Sequence, residues 1–262
     1  MSLSPVSLLN VCLKRAKLPE LNNYKPLNSG ISQQSYWVNT AKGQYVIKCF
    51  IKASWPWLDW SQEWQIFDKL ASAGVAPKLI YMDNHFAITA YVNHTKPSYQ
   101  QLVHPLQKLH SLTACRVLNI TAQTQAYLKH IASSFKWANA SLINDLAYII
   151  SKFESEPHVY GLCHLDLHLD NALATENGCL LIDFEYAAMA PIILDLVKIK
   201  RSWQLEGAEF EELLEQFQFR PSLEQLRVAE KISIYLDWLW YAMEHQTYSN
   251  EIQQLQLDLK TL

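Results

Sequence analysis

Residues 164–171 read HLDLHLDN, and residues 179–186, a short turn further on, read CLLIDFEY. Asp166 and Asn171 lie in a polar loop, and an apolar run follows Asn171 directly. The second stretch is apolar up to Asp183, and an Asn-Gly pair separates the two apolar runs, which is a strong signal for a β-hairpin. If the runs pair as strands about this turn, the residues that flank the hairpin meet. We therefore expect Asn171 to lie beside Asp183.

The three polar side chains of this region suit different chemical tasks. The carboxylate of Asp183 and the amide oxygen of Asn171 are hard oxygen ligands of the kind that Mg²⁺ prefers, and Mg²⁺ usually completes its shell with water and substrate phosphates. Asp166 is then available to accept a proton from an attacking hydroxyl group. The alternative is that these residues only cap turns, as Asp and Asn often do.

The pattern His-x-Asp-x-x-x-x-Asn followed by Ile-Asp-Phe-Glu-Tyr resembles the aminoglycoside phosphotransferase and choline kinase superfamily, whose fold is similar to that of protein kinases. The resemblance implies an ATP- and Mg²⁺-dependent phosphotransferase with Asp166 as catalytic base and Asn171 and Asp183 as metal ligands. It also implies that Asp195 braces the catalytic loop and that His164 orients it. For Asp195 the alternative is a helix N-cap, and the two roles are compatible.

The same resemblance assigns a nucleotide site to the first part of the chain. An enzyme of this superfamily needs a lysine on a strand for the α- and β-phosphates and a helix glutamate to hold it. Lys48 ends the alternating run Tyr-Val-Ile-Lys, and Glu63 lies in the following predicted helix. The alternatives are a solvated strand residue for Lys48 and a plain surface position for Glu63.

Two further segments match the nucleotide-binding parts of the superfamily. The run NSGISQQS takes the place of the phosphate-covering loop, where Gly30 and Ser32 match the family pattern and two other positions depart from it. The run ITAYV resembles the hinge that contacts adenine, with Ala90 and Val92 as the expected backbone donors and acceptors. No Walker A pattern is present, which excludes a P-loop kinase.

The expected fold class is α+β, a bilobal protein-kinase-like fold with a small β-rich lobe at 1–93 and a larger helical lobe at 94–262. The first part is predicted to contain a single helix. Its predicted elements are strands at 35–39, 44–51, 78–82 and 85–92 and a helix at 59–73.

From residue 97 onward the apolar spacing is mainly helical, and Pro105 is expected to kink or divide the first helix. The remaining predicted elements are two helices between 121 and 154, a short β region at 159–184 and helices after 191.

Composition excludes several classes of protein. The net charge of −3 over 262 residues argues against a nucleic-acid partner, which would require a basic excess. No apolar run is long enough for a membrane span, and the N-terminus lacks the pattern of a signal peptide. The five cysteines are scattered without a Cys-x-x-Cys pair, which is typical of reduced thiols. We expect a cytoplasmic protein with no membrane partner, of undetermined oligomeric state.

The acceptor of the phosphate is suggested by the run SIYLDWLW near the end of the chain, which resembles a choline kinase helix that presents aromatic rings to a quaternary ammonium group. Trp240 falls on one of those aromatic positions, Asp237 falls on another, and Glu185 is the third residue assigned to the acceptor. Trp238 and Trp240 cannot share a helix face, so at least one of them is expected in the core. A small cationic alcohol such as choline, ethanolamine or thiamine is therefore predicted, with ATP as its partner.

One alternative acceptor stays open, and two alternative classes of protein are disfavoured by particular residues. An aminoglycoside or a sugar is the alternative acceptor. A pseudokinase that binds nucleotide without catalysis would lack a catalytic residue, whereas Asp166, Asn171, Asp183 and Lys48 are all present. A protein kinase is disfavoured because Glu185 replaces the glycine of Asp-Phe-Gly and no long activation segment precedes Asp195.

Overall fold

The fold is taken from a computed structural model. The residues it describes are 4–27, 33–50, 60–131, 140–245 and 250–261. The chain divides into two compact units of two segments each: Met1–Pro97 with Ala172–Glu185, and Ser98–Asn171 with Tyr186–Leu262.

The described part of the chain before residue 98 contains two helices and five strands. They are α1 (Pro5–Arg15), β1 (Leu21–Pro26), β2 (Gln33–Thr40), β3 (Gly43–Phe50), α2 (Trp60–Ser72), β4 (Leu79–Met82) and β5 (Phe86–Ala90). The strands form one antiparallel sheet in the order β1-β2-β3-β5-β4.

The elements after residue 97 are mainly helices. They are α3 (Tyr99–Ser111), α4 (Ile120–His130), α5 (Ala140–Glu154), β6 (Tyr160–Cys163), β7 (Ala172–Thr175), β8 (Gly178–Leu181), β9 (Ala188–Pro191), α6 (Ile193–Ser202), α7 (Gly207–Gln216), α8 (Leu223–His245) and α9 (Asn250–Thr261). β6 pairs with β9, β7 pairs with β8, and α8 packs against α4, α5, α6 and α9.

The sequence prediction of a single helix before residue 93 is wrong, because α1 precedes the sheet. Ser4 Oγ accepts a hydrogen bond from the amide of Ser7, and Pro5 occupies the first turn, where its missing N–H costs nothing. Leu9, Cys12 and Leu13 form the buried face of α1 and belong to the same core cluster as the inward side chains of the sheet. The apolar stripe is only three residues long, which is why its periodicity is easily missed.

The other predicted elements of this unit are confirmed. β2 and β3 pair about the turn that Thr40 and Gly43 close, and α2 covers the predicted helix. Gly74 follows α2 with a φ of +70°, a left-handed conformation that suits the end of a helix. The predicted start of this helix at Asp59 lies outside the described residues.

Pro105 does not divide α3, so of the two predicted outcomes, a kink or a division, the division is wrong. The helix runs from Tyr99 to Ser111, and Pro105 lies on the same buried face as Leu102, Leu106 and Leu109. Burial of this apolar face offsets the cost of about 3 kcal/mol that a proline imposes inside a helix.

The division into units differs from the predicted boundary at residue 93. The β7–β8 hairpin groups with the first unit, since Thr95 forms a β-bridge with Ala174 and the amide of Leu181 donates to the carbonyl of Val75 at 2.7 Å. The sequence prediction assigned this hairpin to the second part because it follows the helices in chain order. Across the described residues, no helix has both the length and the apolar character that crossing a membrane requires.

Candidate active site

Lys48 is presented by β3 on the face of the sheet that α1 does not cover. Ile47 and Cys49 are buried and point to the α1 side, so alternation along the strand directs Lys48 to the opposite side. Its Nζ lies 2.7 Å from Asp183 Oδ1 and 3.7 Å from Glu63 Oε1. The lysine is thus held by two carboxylates from distant parts of the first unit.

The charge of Lys48 is set by these carboxylates. Burial on its own lowers the pKa of the Lys48 ammonium, but the negative charges of Asp183, Glu63 and Glu185 outweigh burial, and the pKa is raised above its ordinary value. Glu63 is only 6% exposed, a position that a carboxylate tolerates when it is paired. Lys48 therefore carries a full positive charge at neutral pH.

Asp183 is positioned by the β7–β8 hairpin and by the aromatic residue that follows it. β8 ends at Leu181, which lies opposite Ala172, the first residue of β7. Thr175 pairs with Gly178, so the turn residues are Glu176 and Asn177, one position earlier than the Asn-Gly pair about which the strands were predicted to pair. Asp183 has a φ of +69°, which an aspartate tolerates better than most residues. Phe184 is fully buried and packs edge-on against Phe67 of α2, with ring centroids 5.7 Å apart.

The loop after β6 is fixed by one buried carboxylate. Asp195, in the first turn of α6, accepts hydrogen bonds from the amides of His164 at 2.9 Å and Leu165 at 2.8 Å. His110 Nε2 donates to the same carboxylate at 2.9 Å. Burial alone raises the pKa of Asp195, but the contacts with His110, His164 and Leu165 outweigh it, and the pKa is below its usual range. Asp195 is no N-cap, since α6 begins at Ile193.

Asp166 and Asn171 are joined by two hydrogen bonds within this loop. Asn171 Nδ2 donates to the backbone oxygen of Asp166 at 2.9 Å and to its Oδ2 at 3.1 Å. The amide of Asp166 donates to Nδ1 of the fully buried His164 at 3.3 Å. The Asp166 side chain is 29% exposed, which leaves it accessible to a small molecule.

Asn171 and Asp183, the two predicted magnesium ligands, each carry a side-chain oxygen. Nδ2 of Asn171 is directed at Asp166, so Oδ1 is the side-chain atom of Asn171 that these two bonds do not use. Asp183 is 31% exposed, and its contact with Lys48 is made through Oδ1. Both are hard oxygen donors, the type that Mg²⁺ requires.

The predicted acceptor residues fall into different environments. Asp237 Oδ1 accepts from Lys198 Nζ at 2.6 Å, and its Oδ2 accepts from Arg201 Nη1 at 2.9 Å. Trp240 Nε1 donates to the hydroxyl of Tyr186 at 2.6 Å, and Trp240 packs edge-on against its neighbour in α8. Trp238 is 1% exposed, which confirms that one tryptophan of this pair belongs to the core. Glu185 is buried in the first unit, where its charge acts on Lys48.

The predicted nucleotide contacts are only partly described. Gly30 and Ser32 lie outside the described residues. The amide of Ala90 donates to the carbonyl of Lys78 at 2.9 Å, so this amide is already bonded within the sheet and is not available as the predicted donor to adenine. The carbonyl of Val92 accepts from the ring of His94 at 2.8 Å.

The sequence also matches a family model, described as the phosphotransferase enzyme family, over residues 23–228. The chain belongs to this family. No protein with a curated description matches this phosphotransferase.

Solved structures of similar fold include enzymes that act on small molecules. The choline kinase LicA from Streptococcus pneumoniae is 18% identical, with a TM-score of 0.85, and the match covers 98% of this phosphotransferase and 100% of LicA. A choline/ethanolamine kinase family protein from Mesorhizobium loti is 17% identical, with a TM-score of 0.74 and coverages of 92% and 87%. The structure of APH(2″)-IIa in a ternary complex with streptomycin and ATP is 15% identical, with a TM-score of 0.66, and the match covers 92% of each chain. This similarity confirms the predicted protein-kinase-like α+β fold.

Sequence reasoning missed Lys198 and Arg201 of this phosphotransferase. Lys198 Nζ lies 3.8 Å from Asp166 Oδ1 in addition to its contact with Asp237. The signal that could have identified Lys198 is its spacing, because Lys198 follows Asp195 by three positions and therefore lies on the same face of the helix. This spacing does not identify Asp237, the partner of Lys198 on α8.

We expect Asp195→Asn to lower the free energy of unfolding by about 3–5 kcal/mol at neutral pH, because an amide cannot accept from every donor around this buried site. The folded-state pKa of Asp195 is depressed, so its stabilisation is complete above its unfolded pKa of about 4 and is lost as the pH falls through the lower folded value. Urea unfolding of both proteins across this pH range measures the difference.

The control for this prediction is Asp145→Asn, because Asp145 is exposed on α5. This control should unfold like the unmodified enzyme. An Asp195→Asn protein as stable as its parent at neutral pH would contradict the bracing role.

Proposed function

We propose that this enzyme transfers the γ-phosphoryl group of ATP to a hydroxyl group of a small metabolite. The observation that carries the proposal is the ammonium group of Lys48, held 2.7 Å from Asp183 and 3.7 Å from Glu63. A cation fixed in this way suits the α- and β-phosphates of a nucleotide. Membership of the phosphotransferase enzyme family supports the same chemistry.

Phosphoryl transfer passes through a loose transition state, so catalysis depends on positioning and on neutralising charge. In this proposal, Lys48 contacts the phosphates and Glu63 keeps its side chain in place. Asn171 and Asp183 are the residues that would hold Mg²⁺, which when bound neutralises charge on the phosphates.

Asp166 is the proposed catalytic base. Its carboxylate is partly exposed, and Asn171 holds both its backbone and its side chain through Nδ2. In this role Asp166 orients the acceptor hydroxyl and takes its proton as the bond to phosphorus forms. Asp195 holds the amides of His164 and Leu165 at the start of the catalytic loop, so the position of the Asp166 carboxylate is defined before the substrate binds.

For the acceptor we propose a small cationic alcohol of the choline, ethanolamine or thiamine type. Tyr186, Trp240 and Tyr241 form a partly exposed aromatic cluster in the second unit, and aromatic faces bind soft cations. Asp237 adds little attraction for a cation, since Lys198 and Arg201 already balance its charge. Two of the similar structures are described as choline or choline/ethanolamine kinases. An aminoglycoside is the second candidate, because APH(2″)-IIa is among the similar structures with streptomycin bound.

The test is ATP consumption by the full chain with Mg²⁺ and choline, ethanolamine, thiamine or streptomycin in parallel. Stimulation by one of the first three compounds supports the proposal. Stimulation by streptomycin alone would replace the cationic alcohol with an aminoglycoside. Nucleotide binding without consumption, for every acceptor, would point to the non-catalytic alternative and overturn the proposed transfer.

Trp240→Ala should raise the KM for the accepted alcohol by about 2–30-fold with little change in kcat, which corresponds to ~0.5–2 kcal/mol of cation–π interaction. Trp240→Phe is the matched control, because it keeps an aromatic face and loses only the hydrogen bond to Tyr186. Initial rates over a range of acceptor concentrations give both constants. An unchanged KM in the alanine variant would remove Trp240 from the acceptor site.

A further inference from the structure

One face of α6 contacts the catalytic loop, residues 164–171, at several positions. Asp195, Lys198 and Ser202 are spaced by three and four positions, which places them on the same side of a helix. Asp195 accepts the amides at the start of the loop, and Ser202 Oγ donates to the carbonyl of Leu167 at 2.9 Å. Lys198 lies between these two supports, with Nζ 3.8 Å from Oδ1 of Asp166.

Lys198 is held in this position by α8. Its Nζ donates to Asp237 Oδ1 at 2.6 Å, and the side chain of Lys198 is only 12% exposed. Burial lowers the pKa of Lys198, but the charges of Asp237 and Asp166 outweigh burial and raise it, so the ammonium stays charged. Arg201 Nη1 fixes Asp237 from its other oxygen and donates to Ser233 Oγ at 3.0 Å.

The carboxylate of Asp166 therefore has a separate contact on each oxygen. Asn171 Nδ2 donates to Oδ2 at 3.1 Å, and Lys198 lies near Oδ1. Two contacts on opposite oxygens restrict rotation of a carboxylate that would otherwise turn freely about its last bond. Positioning of this kind matters because a displacement of about 1 Å at a reacting group can cost about 10²-fold in rate.

We propose that Lys198 is a positioning residue for phosphoryl transfer: it fixes the carboxylate of Asp166 and, through Asp237, ties that carboxylate to the helix that carries Trp240. This inference rests on the proposed function. It also changes the predicted role of Asp237 from a contact with the acceptor to a support for Lys198.

The chain offers a matched control two positions away. Lys200 lies on the same helix and pairs with Glu230 of α8, with Nζ 3.0 and 2.9 Å from the two carboxylate oxygens. Lys198 and Lys200 thus make the same kind of ion pair between the same two helices. In the described contacts, Asp166 is paired with Lys198 and not with Lys200.

The experiment compares Lys198→Met, Lys198→Arg and Lys200→Met by steady-state kinetics with MgATP and the alcohol that gives the highest turnover among choline, ethanolamine and thiamine. Lys198→Met should lower kcat by about 10–100-fold and leave the KM for ATP within about twofold. Lys198→Arg should recover a large part of the loss because it restores the charge. Lys200→Met should keep kcat close to that of the unmodified enzyme.

Asp237→Asn keeps the inference testable if Lys198→Met does not fold. If Asp237 supports Lys198, Asp237→Asn should lower kcat. Where Lys198→Met does fold, the double variant of the two substitutions should be no slower than Lys198→Met alone. A contact with the acceptor would instead raise the KM for the alcohol with kcat unchanged, and this result would overturn the inference. So would equal kcat values for Lys198→Met and Lys200→Met. An unmodified enzyme without turnover would refute the proposed function itself, which is a distinct result.

Discussion

Asp166→Asn should lower kcat by about 10²–10⁴-fold and leave the KM for ATP nearly unchanged, because an amide of the same shape cannot accept the proton of the hydroxyl group. The loop should keep its structure, since the backbone oxygen of Asp166 still accepts from Asn171 and Asp195 still holds the preceding amides. Steady-state kinetics with the accepted alcohol measure both constants, and circular dichroism checks the fold.

Asp170→Asn is the matched control for this variant. Asp170 lies in the same loop and is exposed, and its substitution removes the same charge four positions away. It should retain nearly full activity. An Asp166→Asn enzyme as active as the Asp170→Asn control would show that Asp166 is not the base, even if the kinase activity itself is real.

The second large effect is expected at Asp183. Asp183→Asn should lower kcat by about 10²–10³-fold, because it removes the charge of the proposed Mg²⁺ ligand and of the partner that lies 2.7 Å from Lys48. Asparagine is the appropriate replacement, since it tolerates the φ of +69° at this position better than alanine. Turnover measured against Mg²⁺ concentration should show that the variant needs more of the ion for half-maximal activity.

Glu176→Gln, in the exposed turn of the same hairpin, is the control and should respond to Mg²⁺ like the unmodified enzyme. If Asp183→Asn had normal turnover and the same dependence on Mg²⁺, the metal assignment would fail. A lower kcat with an unchanged dependence on Mg²⁺ would leave Asp183 with a role toward Lys48 alone.

Local patterns in the sequence were sufficient for most of the fold. The alternation that ends at Lys48 predicted β3, and the Asn-Gly pair predicted the β7–β8 hairpin, although the turn residues are Glu176 and Asn177 and not the Asn-Gly pair itself. These features are set by residues within a few positions of one another, so they can be read without any knowledge of the rest of the chain. The strands β1 and β9 were missed, and at α1 and Pro105 burial against distant residues decided the outcome.

The spacing of Asp166, Asn171 and Asp183 likewise carried the family resemblance, because the loop and hairpin that present them are contiguous in the chain. Two lysine–aspartate ion pairs were not identified from the sequence. The contact between Lys48 and Asp183 joins residues 135 positions apart, and that between Lys198 and Asp237 joins residues 39 positions apart. Helical and strand periodicities place a side chain on a face, but they do not say which distant carboxylate that face meets. Those pairings depend on how the elements pack, and they appear only when the chain is folded.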